Sequence, residues 1–494
     1  MMHLPLAPIV LPLLLAIVLL LPPVNHSSRL QRGLALLGAL GLMLFSALAL
    51  KTANYGEAHH YALGSWQAPF GIALVLDGLS ALMVALTSVL LFAVLLYAQG
   101  GDDAKGQYFY PLMLFLVMGV NGAFLTGDVF NLFVFFEVLL IASYALVIHG
   151  GGKQRTQAGM HYVILNLIAS SFFIVALGLF YGVFGSLNLE HMATKVPALN
   201  SDDALLAKVG GLLLLLVFGL KAAVLPLQFW LPRTYEASAA SVAALFAIMT
   251  KVGVYSLLRV HQTLFGAQSS ELSHFIGPWL WPLALLTVLV GTVGVLASPG
   301  LRQLAAHLVI VSVGSLLLAL AINTAAAASA AVYYLIHSTL VAAALFLLAD
   351  AMAQERGTTI DRFVAGRPLQ HPRLWSMAFF MAAISVIGLP PLSGFVGKLL
   401  LLQAAHTPQT ALWVWPALLL SSLAVLVAMS RAGTTLLWRV QGEPSVEVHH
   451  GVAAKAAAIF FLLLFSVVLA VLAGPLTSYT LSAVEPLFTA SIAK

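Results

Sequence analysis

Four ionisable side chains lie inside apolar stretches of the chain that are long enough to span a membrane. They belong to Glu137, Lys221, Lys251 and Lys398. A charge at bilayer depth costs about 2.5–3.5 kcal/mol on insertion scales, so such groups persist when they pair, bind water or serve a function. Lysine suits proton transfer because its pKa responds readily to burial. Movement of charge through the membrane is therefore the first functional hypothesis.

The composition indicates a polytopic membrane protein. Of 494 residues, 61% are hydrophobic and 8% are charged, against about 25% charged residues in an average soluble domain. The absence of cysteine excludes disulfides, thiolate metal sites and cysteine-ligated haem or iron–sulfur clusters. The sequence has no glycine-rich phosphate loop and no histidine or carboxylate cluster with metal-ligand spacing. We therefore predict no cofactor and no metal.

Apolar runs of about 20 residues, the length that crosses the hydrocarbon layer, predict an all-α fold with about fourteen transmembrane helices. These segments lie near residues 4–22, 33–50, 72–98, 109–126, 129–148, 161–184, 206–231, 239–261, 276–297, 303–323, 328–349, 375–403, 411–437 and 453–473.

The basic residues predict the orientation of these helices. With the N-terminus outside, 14 of the 22 lysines and arginines fall in or beside cytoplasmic loops, five lie on the outer side and three are intramembrane. An excess of basic residues marks cytoplasmic loops. We therefore expect a multi-pass protein of the bacterial inner (cell) membrane with both termini on the outer side.

Two of the predicted helices contain breaks beside a buried lysine. Pro226 follows Lys221, and Pro390 with Pro391 precedes Lys398. Proline removes a backbone donor and kinks or unwinds a helix, and the carbonyls that it frees must face protein or water. An interrupted helix next to a buried charge is how inverted-repeat transporters place ion sites near the midplane.

Around these residues the chain resembles a known family. The residues from Lys221 to Arg259 read KAAVLPLQFWLPRTYEASAASVAALFAIMTKVGVYSLLR, and a second motif, GLPPLSGFVGK, ends at Lys398. With the phenylalanine-rich helix of Glu137, they resemble the antiporter-like subunits shared by Mrp/Pha-type multisubunit monovalent cation/proton antiporters, respiratory complex I and membrane-bound hydrogenases. The segments YYLIHSTLVAAALFLLAD and LAAHLVIVSVGSLL are most similar to the D-subunit branch.

The resemblance implies two inverted five-helix repeats in which helices 7 and 12 are broken. On this basis, residues 1–108 form N-terminal helices 1–3 and residues 109–262 form the first antiporter repeat. Residues 263–439 form the second repeat, and residues 440–494 form helix 14 and a short C-terminal tail.

The resemblance also implies a proton path. Glu137 and Lys221 would form a carboxylate–ammonium pair on neighbouring helices, Lys251 would be the central carrier, and Lys398 the terminal carrier. His337 would relay protons at neutral pH, or it is a buried histidine bonded to a carbonyl. His307 either bridges Lys251 and Lys398 or simply packs between helices. Glu137 and Lys221 could instead form a static ion pair that locks two helices, and Lys251 could reach an interface.

Two positions depart from the family pattern. Gln228 stands where the family has a histidine in its LPLH motif. The family's eleventh helix carries a lysine about five residues after its histidine, and the corresponding residue after His337 is Ala342.

These features predict a proton-translocating subunit of a hetero-oligomeric Na+(K+)/H+ antiporter, a secondary transporter and not an enzyme. Its partners would be the other subunits, the lipid bilayer, protons and Na+ or K+, and no nucleic acid. Two alternatives stay open at this point. One is a proton-pumping membrane subunit of a redox-driven complex, and the other is a structural scaffold subunit.

Overall fold

A computed structural model describes residues 3–53, 58–67, 69–266, 272–444 and 451–489. The first half of the chain forms α1 (Ala7–Leu20), α2 (Ser28–Ala53), β1 (His59–Ala62), β2 (Ala73–Leu76), α3 (Gly78–Ala98), α4 (Phe109–Leu125), α5 (Val129–Val147), α6 (Lys153–Phe184), α7 (Leu189–Lys195), α8 (Ser201–Ala222), α9 (Trp230–Ala237), α10 (Ala240–Phe246) and α11 (Met249–Phe265). The second half forms α12 (Gly277–Ala297), α13 (Leu301–Ile322), α14 (Ala325–Arg356), α15 (Pro372–Ile387), α16 (Ser393–Ala404), α17 (Pro408–Gly433), α18 (Val452–Val471) and α19 (Ala473–Thr489).

The helices agree with an all-α membrane fold. In the described part of the chain, 11 helices are long and apolar enough to cross a membrane, and four shorter apolar helices are α1, α4, α15 and α16. One of the 11 is the pair α10 and α11 taken together over 240–265. When α15 and α16 are also counted as one interrupted helix, these elements correspond to the fourteen predicted segments. The predicted polytopic fold is confirmed.

Polar side chains cap the N-terminal ends of several of these helices. Asp77 caps α3 through a reciprocal capping box with Ser80, and Asp128 and Asn200 cap α5 and α8 in the same N-terminal position. These side chains satisfy backbone N–H groups that a helix start leaves without a partner. Such caps matter more in a membrane than in water, because lipid supplies no alternative partners.

The backbone leaves helical geometry at both proline-containing sites. After α8 ends at Ala222, Ala223 adopts a left-handed conformation with φ 60°, and α9 begins only at Trp230. In the second half, Gly388 ends α15 with φ 86°, a conformation that favours glycine. The predicted segments 206–231 and 375–403 are therefore each built from two helices, while the assignment of inverted repeats stays a prediction.

Three further segments differ from their predicted form. The segment 72–98 begins with β2, which pairs antiparallel with β1 in the register Ala73 with Ala62. The segment 239–261 is divided into α10 and α11. The expected short C-terminal tail is instead the 17-residue helix α19 as far as the structure describes it. This helix packs on the earlier ones, since Thr480 and Ser329 of α14 share a hydrogen bond of 2.8 Å.

Burial differs sharply between helices. The helix α14 is buried along almost its whole length and contacts α13, α16, α18 and α19. By contrast, α6 exposes Ile164, Ile168 and Val175 on one face, and α17 exposes a similar apolar stripe. Apolar residues that face outwards fit a lipid or a partner subunit. The centre of the fold therefore lies around α14.

Candidate functional site

Lys221 lies in the last turn of α8 and is 5% exposed. Its Nζ donates a hydrogen bond of 3.0 Å to Asn166 Oδ1 on α6, and it lies 5.7 Å from the centre of the Phe136 ring. The Asn166 amide is oriented by its own helix, because Nδ2 donates to the Tyr162 carbonyl at 2.8 Å. The amide oxygen is thus left to face the ammonium group.

Glu137 is half-buried on α5 and is bonded to the same helix α6. Ser170 Oγ donates a hydrogen bond to Glu137 Oε1. Among the described ion pairs, none joins Glu137 to Lys221, so the two side chains are not in direct contact in this structure, and their pairing stays a prediction. Asn166 and Ser170 are one helical turn apart, so neighbouring positions of α6 supply a hydrogen-bond partner to each of the two charged side chains.

The break after Lys221 satisfies its own freed carbonyls. Val224 N–H donates to the Gly219 carbonyl at 2.8 Å, and the Trp230 indole donates to the Leu220 carbonyl at 3.1 Å. These bonds meet the requirement that polar backbone groups find partners inside a membrane. Lys221 therefore does not serve as a cap for the broken helix.

Lys251 lies on α11 and is fully buried, with 0% exposure. Its Nζ donates a hydrogen bond of 2.8 Å to Ser312 Oγ on α13. Ser312 Oγ in turn donates to the Val309 carbonyl at 2.7 Å. Complete burial excludes a side chain that reaches to an interface, so Lys251 is an internal group.

Lys398 is half-buried on α16 and is bonded at the second break. Its Nζ donates to the carbonyls of Ile387 at 2.7 Å and Val386 at 3.2 Å, which are the last residues of α15. A third bond, of 2.8 Å, goes to Ser422 Oγ on α17. Here the lysine itself satisfies the carbonyls that the broken helix frees.

His337 joins a chain of hydroxyl groups that crosses four helices. Its Nδ1 shares a hydrogen bond of 2.7 Å with Ser393 Oγ on α16. Ser393 then bonds to Ser466 on α18 at 2.8 Å, and Ser466 bonds to Ser385 on α15 at 2.9 Å. The histidine is 2% exposed, and the Ser393 hydroxyl bonded to it can both donate and accept a hydrogen bond.

A small, partly open cavity brings the second group of residues together. Ser312, His337, Ala342 and Lys398 all line it. Its volume is about 20 Å³, which exceeds the 10–15 Å³ that one water molecule needs. The cavity therefore connects the α13 partner of Lys251 to the residues of the second break.

His307 lies outside this arrangement. It is half-buried on α13, where its Nδ1 is 2.9 Å from the Gln303 carbonyl and 3.2 Å from Ser298 Oγ, and its ring lies against Gly294 of α12. Five residues separate it from Ser312, a rotation of about 140° around the helix. The structure does not bring His307 together with Lys251 or Lys398, so its contacts fit the packing alternative.

Several residues of the site are not apparent from charge alone. They are the neutral partners of the charged groups: Asn166, Ser170, Ser312, Ser393, Ser422 and Ser466. One signal was available, because Tyr162, Asn166 and Ser170 recur at intervals of four on one face of an apolar helix. Within the described ranges, no group of three His, Cys, Asp or Glu side chains could hold a metal ion.

Comparison with known proteins places this arrangement in a family. Residues 126–427 match the family described as NADH:quinone oxidoreductase/Mrp antiporter, TM. The chain belongs to this family. It is 38% identical over 470 residues to the D subunit of a probable K(+)/H(+) antiporter of Rhizobium meliloti, covering 88% of this chain and 87% of the relative. It is 36% identical to the D subunit of the Na(+)/H(+) antiporter of Bacillus subtilis, covering 92% of each.

Solved structures of the family have the same fold. A chain of the Mrp complex from Dietzia sp. DQ12-45-1b superposes with a TM-score of 0.88 at 25% identity, covering 99% of this chain and 98% of that one. A chain of respiratory complex I from Thermus thermophilus gives a TM-score of 0.80 at 24% identity, covering 98% and 99%. The resemblance to the D-type antiporter subunits is confirmed, and so is the expectation of a transporter and not an enzyme.

Proposed function

We propose that the chain is the proton-translocating subunit of a multisubunit Na+(K+)/H+ antiporter. One observation carries this proposal: three lysines inside the membrane-spanning region, Lys221, Lys251 and Lys398, are each bonded to neutral oxygens. Within the described part of the chain, none of the three forms an ion pair. A static salt bridge would hold each ammonium charged, whereas a neutral acceptor leaves the lysine able to exchange its proton.

The proton path follows the order of these groups. Glu137, bonded to Ser170, and Lys221, bonded to Asn166, are the first two proton-exchanging groups, and Lys251 is the next carrier. His337 and Lys398 complete the path in the second half of the chain, and His307 lies off it. In this arrangement, residues 109–262 and 263–439 are the two repeats, each with a lysine beside a helix break.

The subunit works in a hetero-oligomer in the bacterial cell membrane. The names of its relatives, which are D-type subunits of antiporters, and the Mrp complex structure support partner subunits. Exposed apolar faces on α6 and α17 offer surfaces for such partners and for lipid. The excess of basic residues in the assigned cytoplasmic loops supports an outer location for both termini.

The redox-driven alternative has weaker support. One matched chain of a solved respiratory complex I and one of a sulfane sulfur reductase complex are each 24% identical to this chain. That likeness supports the fold only. Purification separates the two functions. A complex that carries flavin or iron–sulfur partners would indicate a redox-driven pump, whereas a complex without them that exchanges cations for protons is an antiporter.

The decisive experiment measures a pH gradient in everted vesicles from antiporter-deficient cells that express the chain with its partner subunits. Addition of Na+ or K+ should dissipate the gradient in the wild type. Lys221→Ala should lower this exchange by about a hundredfold or more, the effect of removing a group that transfers protons. Lys208→Ala is the matched control, because Lys208 lies on the same helix α8 but is exposed. Equal exchange by both variants in assembled complexes would refute the proposed path.

A further inference from the structure

The proposed path has a gap between its two halves. Lys251 is bonded to Ser312 of α13, whereas His337 and Lys398 lie on α14 and α16. Neither of these two residues shares a hydrogen bond with Lys251 among the described contacts. The only feature described on this side of Lys251 that reaches both is the cavity lined by Ser312, His337 and Lys398.

We propose that Ser312, together with a water molecule held in this cavity beside Ala342, carries protons between Lys251 and the His337–Lys398 group. The inference rests on the proposed function and adds a residue and a water site to it. Ser312 is the one described side chain that both accepts a hydrogen bond from Lys251 and lines the cavity.

The cavity has the chemistry that a bound water requires. A buried water needs about 10–15 Å³ and between two and four polar partners, and this cavity offers about 20 Å³. Its lining residues with polar side chains are Ser312, Tyr334, His337, Ser338 and Lys398. Ala342 contributes only a methyl group to the wall, so the space is not filled from α14.

The proton step balances through the serine hydroxyl. The Lys251 ammonium gives a proton to Ser312 Oγ while the Ser312 hydroxyl proton passes to the water oxygen. One N–H bond and one O–H bond break, and two O–H bonds form, one on the serine and one on the water. The water then gives its extra proton to a neutral His337 or Lys398. A serine hydroxyl can do this because it donates one hydrogen bond and accepts others.

The geometry requires one local motion. In the structure the Ser312 hydroxyl donates to the Val309 carbonyl at 2.7 Å. Rotation about a single bond redirects the hydroxyl from this carbonyl towards the cavity. Serine hydroxyls rotate to suit their partners, so the backbone does not need to move.

Four variants test the proposal in the assembled complex. Ser312→Ala removes the hydroxyl, and Ser312→Thr keeps it. Ala342→Val fills the cavity with apolar carbon, and Ala342→Ser adds one polar atom while leaving room. Exchange is measured in everted vesicles, with assembly checked on native gels. Thr339→Val is the matched control, because Thr339 is a fully buried α14 hydroxyl that is bonded to its own helix, away from the cavity.

We expect Ser312→Ala to lower exchange by about tenfold or more, the scale of one lost hydrogen bond to a charged group. Ser312→Thr should restore most of the rate. Ala342→Val should also lower exchange, Ala342→Ser should lower it less than Ala342→Val does, and Thr339→Val should stay near the wild-type rate. Rescue by threonine separates a proton relay from a merely structural serine.

Two results would contradict the inference about Ser312 but leave the proposed function standing. One is wild-type exchange by Ser312→Ala in a preparation where Lys221→Ala is inactive. The other is equal loss in Ser312→Ala and Ser312→Thr with intact assembly. If Lys221→Ala itself exchanged normally, the proposed function would fail first, so the two failures are distinguishable.

Discussion

The lysines beside the two helix breaks have different kinds of hydrogen-bond partner. Lys221 comes before its break, and its ammonium is bonded to the Asn166 side chain of another helix. Lys398 comes after its break, and its ammonium is bonded to the Val386 and Ile387 carbonyls of the broken helix itself. In the first break, backbone amides and the Trp230 indole occupy the freed carbonyls. The lysine is then available to side chains.

This difference shows which site depends on side-chain chemistry. The partner of Lys221 is an amide whose orientation is fixed by Tyr162, so a single substitution can remove it. Two of the three partners of Lys398 are backbone carbonyls that no substitution deletes. The first site is therefore sensitive to its neighbours, whereas the second depends on the shape of the break, where a Cβ at Gly388 would lie 2.7 Å from the Lys398 side chain.

The largest difference between the sites is expected from Asn166→Leu. This nearly isosteric change leaves Lys221, only 5% exposed, without its described acceptor. A hydrogen bond to a charged group contributes about 1.5–3 kcal/mol, so exchange should fall by roughly tenfold to a hundredfold. The measurement is cation-induced loss of the pH gradient in everted vesicles, normalised to the amount of assembled complex.

The control for this substitution is Asn121→Leu. Asn121 is a fully buried amide on α4 that donates to the Pro8 carbonyl and contacts no lysine among the described bonds. It should lower stability but leave exchange per complex unchanged. Equal exchange in Asn166→Leu and wild type would show that Lys221 does not depend on its side-chain acceptor. The proposed contrast with Lys398 would then fail.

A smaller effect is expected from Ser170→Ala, which removes the hydroxyl that donates to Glu137. The change removes one donor from a carboxylate that can accept several hydrogen bonds. We expect exchange to fall by about threefold to tenfold. Ser171→Ala is the control, since the neighbouring Ser171 is exposed and donates to the Leu167 carbonyl of its own helix. A loss in both variants alike would indicate a general effect on α6.

The sequence predicted much of this architecture. The lengths of the apolar segments predicted the membrane-spanning helices. The prolines indicated where α8 and α15 end, because a proline inside a helix removes a backbone hydrogen bond. The intramembrane charges pointed to Lys221, Lys251 and Lys398, and the structure finds all three inside the protein with bonded partners. These features are local, so the sequence displays them directly.

The partners of those charges could not be predicted in the same way. A serine in an apolar helix can bond to a carbonyl three or four residues earlier or to a neighbouring helix, and only tertiary packing decides between them. Ser312 makes both kinds of contact, whereas the described bond of Ser421 goes to the Leu418 carbonyl of its own helix. The same holds for His307. Its place on a helix could be predicted from the sequence, but only the structure shows that its side chain faces α12.

The smallest effect is expected at the second break, where backbone carbonyls bind Lys398. Ser422→Ala removes one of three acceptors from Lys398, while the carbonyls of Ile387 and Val386 remain at 2.7 Å and 3.2 Å. Because the lysine stays bonded to both carbonyls, exchange should fall by less than about threefold. Ser421→Ala is the control, since Ser421 donates to the Leu418 carbonyl of α17. A loss as large as that of Asn166→Leu would mean that Lys398 also depends on a side-chain acceptor, and the contrast between the two breaks would then fail.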